Sequence, residues 1–347
     1  MNDGELYIAA TGTWLPPVES VAEAVADGRC DPAVARAAQV ESVTVSRSEP
    51  APEMAARAGR TALARAGAGP GDIDLLLHAS FFYQGFDLWA PASYIQRVTL
   101  GNQCPAMEVR QVSNGGMAAL DLAWAYLHAD SGRSAALITT GDRFCEPRFD
   151  RWRSDPGTVY GDGGTALVVS RHDGFARVRS LASVSAPDLE GMHRGDDPFG
   201  TGPFGHRTVV DLEAHKQDFL ARNDLSPTVA RVAAAQEGVI KQALADAGST
   251  LEDIDWFVLP HLGRRRLQVT YFARFGIDPA RSTWQWSRGI GHLGAGDPFA
   301  GLDHLATTGA LTPGDTCLLV SVGAGFSWSC AVVDVRQQPT WRAVPAA

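Results

Sequence analysis

The sequence predicts an α/β protein with a largely parallel sheet, built from two similar halves. Short β-rich runs alternate with Ala-rich helical runs, and such alternation is typical of parallel sheets covered by helices. An internal repeat indicates the two halves: 62–74, ALARAGAGPGDID, recurs as 243–255, ALADAGSTLEDID, with eight of thirteen positions identical. The same offset places the apolar run 135–140 on 316–321. Repetition of a whole helix-to-strand unit favours a duplicated fold over chance similarity.

The strands are predicted where four to ten residues are rich in Val, Ile, Leu and Thr, namely 5–12, 74–81, 106–112, 135–141, 165–170, 176–184, 255–260, 316–323 and 329–335. The helices are predicted at the Ala-rich runs 52–66, 91–99, 117–129, 228–247, 266–275 and 298–309. In both copies of the repeat a helix stops at a glycine, an acidic connector follows and a buried strand begins. We therefore expect an N-terminal half, 1–172, and a C-terminal half, 173–347.

The segment 185–227 interrupts this alternation. It is rich in proline and glycine, including the sequence PFGTGPFG. A loop of this length in a compact protein is usually a lid or a pocket wall, or else partly mobile. We expect a covering loop inserted in the C-terminal half.

Composition and charge exclude several functional classes. Thirty Lys and Arg against 39 Asp and Glu give a net charge of −9, which disfavours nucleic acid as a partner. The five cysteines show no CxxC or Cys/His spacing, so neither a disulfide framework nor a metal site is expected. The chain begins without a basic and apolar leader, and no apolar run is long enough for a bilayer. We expect a cytoplasmic enzyme without a membrane partner.

Ser113 lies between the predicted strand 106–112 and an apolar-periodic helix that begins with two glycines. A hydroxyl at this turn lies over the first helical N–H groups, where a nucleophile and its oxyanion can be stabilised. The alternative is an N-cap serine, which is common at such positions. The pattern is not GxSxG, so an α/β-hydrolase is not indicated.

His261 directly follows the strand 255–260, at the end of the sheet where α/β proteins bind ligands. A structural loop histidine is the alternative. Arg264, Arg265 and Arg266 come next. In an acidic chain this cluster indicates an anionic ligand such as a phosphate, or an acidic protein, although a solvated helix start is also possible.

His292 lies in a Gly-rich segment, 289–297, whose glycines allow the backbone to approach a ligand closely. Asp297 precedes a proline, which is typical of a helix N-cap. In the functional alternative Asp297 orients His292, and His292 polarises Ser113 as in a Ser-His-Asp arrangement. The Gly-Ala-Gly sequence at 323–325 could aim a backbone N–H at an oxyanion, or form a tight turn.

Five ordered motifs resemble the ketoacyl-ACP synthase III family, which has a thiolase fold. They are VSNGGMAALDLA, YGDGGTALVV, LPHLGRRRL, RGIGHLGAGDP and SVGAGFSWSCAVV, and they extend along nearly the whole chain. The resemblance implies a five-layered αβαβα sandwich and a homodimer in which the loop 86–92 reaches the partner's acyl pocket. It also implies acyl-CoA and an acyl carrier protein as partners, with a thioester as substrate and no bound cofactor.

The resemblance also assigns roles to the candidate residues. Ser113 matches the family's cysteine nucleophile, His261 its histidine, and His292 its asparagine. Arg266 matches an arginine that helps to receive the phosphopantetheine carrier. The backbone N–H of Ala324 matches the one that joins the nucleophile's own N–H in the oxyanion hole.

The two departures from the family pattern support each other. A serine hydroxyl needs an adjacent base more than a cysteine does, and His292 oriented by Asp297 would supply it. The combination resembles a serine-bearing subgroup of antibiotic pathways, such as the propionyl starter-unit enzyme of daunorubicin-type polyketide synthesis.

The resulting hypothesis is a serine-dependent acyltransferase or starter-unit synthase. It would hold a short acyl group from acyl-CoA as an ester on Ser113, and pass it to a carrier protein or to a malonyl-derived carbanion. Transfer onto a sugar or another small-molecule hydroxyl is an alternative. A non-catalytic synthase partner subunit is disfavoured by the retained His261 and the His-Asp pair, and an ester hydrolase by the missing GxSxG turn.

Overall fold

Nine strands form one mixed sheet in a computed structural model of the protein, which describes residues 4–202, 207–339 and 341. In chain order the strands are β1 (Leu6–Trp14), β2 (Val18–Ser20), β3 (Ser42–Thr44), β4 (Leu75–Ala79), β5 (Ala106–Val109), β6 (Ala135–Asp142), β7 (Gly163–Ser170), β8 (Ala176–Ser185), β9 (Trp256–Val258), β10 (Thr316–Gly323) and β11 (Ser327–Val335). Strands β2 and β3 form a separate two-stranded sheet, and the other nine form the large sheet. The order across the large sheet is β5-β4-β6-β7-β1-β8-β11-β10-β9.

The two halves of this sheet repeat the same strand order. In the first half β1 is antiparallel to β7, β7 to β6, and β6 is parallel to β4, which is parallel to β5. In the second half β8 is antiparallel to β11, β11 to β10, and β10 is parallel to β9. An isolated parallel bridge between Phe257 and Ser282 stands where the fifth strand would lie. The halves join where Leu6–Ile8 pairs with Ala176–Val178.

The helices form three layers around these halves. They are α1 (Val21–Ala26), α2 (Pro32–Ala38), α3 (Ala51–Ala66), α4 (Pro91–Thr99), α5 (Gly115–His128), α6 (Gly191–Arg194), α7 (Leu212–Leu220), α8 (Leu225–Asp246), α9 (Arg264–Leu267), α10 (Ala273–Phe275), α11 (Trp284–Ser287) and α12 (Asp297–Thr308). Helix α3 packs on β1, β6 and β7, and α8 packs on β8 and β11. Helices α5 and α12 lie between the halves, so the predicted five-layered α/β fold is confirmed. The prediction of a largely parallel sheet is wrong, because five of the eight strand pairings in the large sheet are antiparallel.

The central layer contains the largest apolar core. Trp124 and Leu120 of α5 and Phe299 and Leu302 of α12 are buried there against strands of both halves. The first turn of α5 packs closely against the segment that precedes α12. A Cβ at Gly116 would lie 2.5 Å from the carbonyl oxygen of Ala295. A side chain at this position would push the α5 terminus away from the segment that precedes α12.

The described parts of the segment 185–227 are more ordered than a covering loop, because they contain α6, α7 and the start of α8. Backbone hydrogen bonds fasten it to the body, from Leu212 N to Ser154 O at 2.9 Å and from Ala186 N to Phe326 O at 2.8 Å. Residues 203–206, which include the end of the PFGTGPFG sequence, lie outside the described residues.

Several short elements were absent from the sequence prediction. These are α1, α2, β2 and β3 near the N-terminus, and α11 before the Gly-rich segment. The predicted helix 266–275 is α9 and α10 joined by a π-helical turn at 268–272. Among the described helices none is both long and apolar enough to cross a bilayer.

Candidate active site

Ser113 lies in a strained turn between β5 and α5. The turn is a short 3-10 helix, Val112–Asn114, and Val112 has a φ of 51°, which β-branched residues rarely adopt. The carbonyl oxygen of Ser113 accepts a hydrogen bond of 3.1 Å from Ser321 Oγ on β10. No side chain caps α5, whose N-cap residue is Asn114, so Ser113 is not an N-cap serine.

Ser113, His292 and Asp297 form a chain of hydrogen bonds. Ser113 Oγ lies 2.8 Å from His292 Nε2, and His292 Nδ1 lies 2.6 Å from Asp297 Oδ2. A carboxylate can only accept, so Nδ1 carries the proton and Nε2 accepts the hydrogen bond from the serine hydroxyl. This tautomer leaves a lone pair on Nε2 aimed at the serine proton.

The segment around His292 is held by the neighbouring loop of the N-terminal half. His292 N donates to Val159 O at 2.9 Å, and the carbonyl of His292 accepts from Gly161 N at 3.0 Å. Asp297 Oδ1 accepts a hydrogen bond of 2.8 Å from Leu293 N. The side chain of Asp297 therefore orients the Gly-rich segment and does not cap α12, whose N-cap residue is Gly296.

Burial and charge act in opposite directions on the pKa values of His292 and Asp297. Burial acts to lower the pKa of His292, but the charge and hydrogen bond of Asp297 outweigh it and leave that pKa raised. Burial acts to raise the pKa of Asp297, but His261 and His292 outweigh it and leave that pKa lowered. The carboxylate is thus charged at neutral pH and stabilises a protonated His292.

His261 lies beside Asp297 but has a different environment. Its backbone N donates to Asp297 Oδ2 at 2.7 Å, while its Nδ1 lies 2.9 Å from Gly291 O. The ring packs edge-on against Trp286, with centroids 5.4 Å apart. Burial lowers the pKa of His261 despite the nearby charge of Asp297. Its Nε2 is buried and has no hydrogen-bond partner among the described residues.

A cavity of about 550 Å³ opens beside Ser113 and His292. Residues 192–193, helix α7 and the first turns of α8 form one wall, and apolar side chains such as Leu212, Leu225 and Val229 line it. The cavity also reaches Ala324, which follows β10. Its volume is in the range of small-molecule binding sites.

The three consecutive arginines have three different environments. Arg266 lines the cavity, where its guanidinium lies 2.8 Å from Asp155 Oδ1 and also donates to Pro156 O at 2.8 Å. Arg264 lies over the ring of Phe272, with its Cζ 4.7 Å from the centroid. Arg265 is exposed. Arg264 and Arg265 line one surface depression together with Arg36, whereas Arg266 lines the cavity, so a role of the cluster in binding CoA or a carrier stays a prediction.

Comparisons with known proteins agree with this architecture. The family model for the C-terminal part of 3-oxoacyl-[acyl-carrier-protein] synthase III matches residues 244–335. Beta-ketoacyl-[acyl-carrier-protein] synthase III of Rhizorhabdus wittichii is 28% identical over 81% of this chain and 82% of its own. The structure of the acyltransferase ChlB3 is 36% identical, with a TM-score of 0.92 over 97% of this chain and 99% of its own. The chain belongs to the ketoacyl-ACP synthase III-like family.

A more distant structure of this family shows the fold alone. The 3-oxoacyl-[acyl-carrier-protein] synthase III of Aquifex aeolicus is 19% identical, with a TM-score of 0.76 over 95% of this chain and 99% of its own. The synthase III-like fold and an acyl-transfer or condensation chemistry are thus established for this chain.

Among the described residues, no group of three His, Cys, Asp or Glu side chains could hold a metal ion.

The sequence-based reasoning missed three residues near the site, namely Tyr160, Asp155 and Asp142. Tyr160 packs edge-on against His292 at 5.0 Å between centroids, and its hydroxyl donates to Asp155 Oδ2 at 3.2 Å. Asp142 is buried and accepts backbone hydrogen bonds, of which that from Phe82 N is 2.7 Å long. Burial raises the pKa of Asp142 to about 7. Tyr160 belongs to the YGDGG motif, so its place in that motif was the available signal.

Proposed function

We propose that the protein is a serine-dependent acyltransferase that takes an acyl group from acyl-CoA and holds it as an ester on Ser113. The observation that carries this proposal is the hydrogen-bond chain from Ser113 through His292 to Asp297 at the cavity. Each of these residues is held by more than one contact, which favours a preorganised catalytic site over incidental proximity.

In the first half-reaction Ser113 Oγ attacks the thioester carbonyl carbon while His292 Nε2 takes the hydroxyl proton. The carbon–sulfur bond then breaks, and His292 returns the proton to the leaving thiol. Asp297 stabilises the imidazolium that exists between these steps. The backbone N–H groups of Ser113 and Ala324 would receive the oxyanion, as the family resemblance implies.

The acyl group then passes to an acyl carrier protein, in the manner of a starter unit for polyketide biosynthesis. Carrier proteins are acidic, and this chain is acidic overall, so their association requires a local basic surface. Exposed Arg265 lies beside Arg36 in a shallow surface depression and supports such a surface. Arg266 supports it less directly because Asp155 neutralises its charge.

A non-catalytic partner subunit is less compatible with this site. Asp297 is 1% exposed and His292 is 4% exposed, and burying charged groups is costly unless their interaction serves a purpose. A subunit without chemistry would gain more stability from apolar residues at these positions.

The test is intact-protein mass spectrometry after incubation with a panel of acyl-CoA thioesters. The unaltered protein should gain one acyl mass on a peptide that contains Ser113, and Ser113→Ala should abolish the gain. Ser113→Cys should remain loadable, because a thiol needs less assistance from a base. Ser180→Ala is the matched control, since Ser180 is a buried serine whose Oγ donates to Ala243 O outside the cavity. An adduct that persists at another residue in Ser113→Ala would refute the proposal.

A further inference from the structure

Asp142 is a fully buried carboxylate at the carboxyl end of β6, and the chemistry proposed above does not use it. Strand β6 runs parallel to β4, with Thr140 opposite Ala79, so Asp142 lies level with the residues that follow β4. Its Oδ1 accepts hydrogen bonds from Phe81 N at 2.8 Å and from Phe82 N at 2.7 Å. The carboxylate therefore holds the turn by which the chain leaves β4.

The other oxygen of Asp142 faces the Gly-rich segment of the C-terminal half. Oδ2 accepts a hydrogen bond of 3.3 Å from Ala295 N. Gly294 permits this approach, because its φ is 61° and a Cβ there would lie 2.2 Å from Oδ2. Ala295 lies between His292 and Asp297 in the chain, so Asp142 also holds the segment that carries both of them.

The two segments that Asp142 binds meet again at the cavity. Phe81 lines the cavity, and its ring stacks on Tyr160 with centroids 6.3 Å apart. Tyr160 in turn packs edge-on against His292, with centroids 5.0 Å apart. Because the interior is closely packed, displacing either segment from Asp142 would move the cavity wall relative to the imidazole.

The charge of Asp142 also acts on His292. Burial acts to lower the pKa of His292, but nearby carboxylates outweigh burial and leave that pKa raised. These carboxylates belong to Asp297, Asp155 and Asp142. Burial raises the pKa of Asp142 to about 7, although its backbone donors and His292 favour the ionised form.

The other titratable groups described beside Asp142 and His292 are neutral at pH 7. His78 on β4 is fully buried, and burial lowers its pKa to about 4. Burial also lowers the pKa of His261. The hydroxyl of Tyr160 stays protonated because burial raises its pKa. These groups therefore do not oppose the effect of the Asp142 charge on His292.

We propose that Asp142 is a positioning residue that ties the cavity wall to the Gly-rich segment, and whose negative charge helps His292 to take the proton of Ser113. It acts through His292, because its own oxygens are bonded to backbone N–H groups. The proton still moves from Ser113 Oγ to His292 Nε2, and the nearby anion stabilises the imidazolium that results. This inference rests on the proposed serine acylation and adds a residue to the same site.

The test compares Asp142→Asn with Asp74→Asn as the matched control. Asparagine keeps an oxygen for the two N–H groups that follow β4 and removes the charge. Asp74 also accepts two backbone N–H groups, at 2.6 and 3.3 Å, but at the opposite end of β6. The rate of Ser113 acylation is measured against pH, with thermal unfolding in parallel. The pKa of His292 is followed by NMR of protein labelled at the imidazole Cε1, and its signal is assigned by its loss in His292→Gln.

We expect Asp142→Asn to lower the midpoint of the pH–rate profile and the pKa of His292 together, by about half a unit or more, because removal of a nearby anion destabilises the imidazolium. The rate on the plateau should fall on the order of tenfold. Asp74→Asn should lower Tm and change neither midpoint. If both midpoints stay where they are in the unaltered protein, Asp142 only closes the end of β6 and the inference is wrong. The NMR titration needs no acylation, so failure of the unaltered protein to form the adduct would refute the proposed serine acylation alone.

Gly294→Ala tests the same contact with the carboxylate retained, and it serves if Asp142→Asn does not fold. The new methyl group would displace the Gly-rich segment from Asp142, so acylation should slow on the order of tenfold or more. Gly276→Ala is its control, since Gly276 has a φ of 65° and no atom within 4 Å of a Cβ built there. It carries a similar backbone strain and should acylate normally. Acylation of Gly294→Ala at the rate of this control would overturn the inference.

Discussion

Replacement of Asp297 by asparagine tests the catalytic chain most directly, because the structure defines what the new amide must do. Asp297 Oδ2 accepts from His292 Nδ1 at 2.6 Å and from His261 N at 2.7 Å, while Oδ1 accepts from Leu293 N at 2.8 Å. An asparagine satisfies most of these donors when its oxygen takes the Oδ2 position. Its NH₂ group then faces Leu293 N, and His292 keeps its tautomer.

In that orientation the variant loses charge and retains geometry. Hydrogen bonds to charged groups contribute about 1.5–3 kcal/mol. Since about 1.4 kcal/mol corresponds to a factor of ten in rate, we expect Ser113 acylation to slow by about 10- to 150-fold. If the amide turned its NH₂ to His292, the ring would change tautomer and the loss would approach 10⁴-fold, on the order found for such changes.

The assay is the rate of acyl transfer to Ser113, measured by quenched-flow mass spectrometry, with thermal unfolding measured in parallel. The matched control is Asp303→Asn. Asp303 lies on the same helix, is 6% exposed and accepts from Thr11 and Arg65 at 2.6 Å, away from the cavity. It should lower Tm and leave acylation unchanged. A folded Asp297→Asn protein that acylates at the unaltered rate would refute the catalytic role of Asp297.

The remaining predictions concern pH, docking and assembly. The acylation rate should rise with pH and level off above the ordinary histidine range, because only neutral His292 can accept a proton and its pKa is raised; a flat profile between about pH 5 and about pH 9 would contradict this. Arg265→Glu should raise KM for a carrier protein several-fold at low salt, with little effect on a small thioester. Arg266→Ala should lower kcat for both substrates, because it leaves the Asp155 carboxylate unpaired at the cavity; a loss confined to the carrier would favour the docking role predicted from sequence. The protein should sediment as a homodimer at micromolar concentration. The side chain of Phe86 is 71% exposed in the single chain, and Phe86→Asp should yield a monomer. A monomeric unaltered protein would contradict this prediction.

Much of the fold could be predicted from local patterns. The helix at 91–99 and the strand at 316–323 have the same bounds in the structure as in the prediction. Both have a continuous pattern of apolar residues that local propensity and burial support together. The short elements at 18–44 and the helices α6 and α7 lack such a pattern. They could not be predicted because tertiary contacts stabilise them more than local propensity does.

The residues of the candidate site could also be named from the sequence, but the hydrogen bonds between them could not be predicted. Ser113 and His292 are separated by 179 positions, and their hydrogen bond exists only because the two halves of the sheet join. Asp297 was a candidate because it lies five positions beyond His292, within reach of one turn. Their catalytic roles stay predictions until the Ser113 and Asp297 variants are measured.

The sequence alone determined the duplicated α/β architecture, the Ser-His-Asp composition and the family resemblance, because these depend on residue order and local pattern. Only the tertiary structure decided that the ring of His261 packs against Trp286 and that Arg266 is paired with Asp155, 111 positions earlier. Side-chain pairing between distant segments follows from how loops pack at the end of the sheet. That packing depends on many weak contacts, and no single motif encodes it.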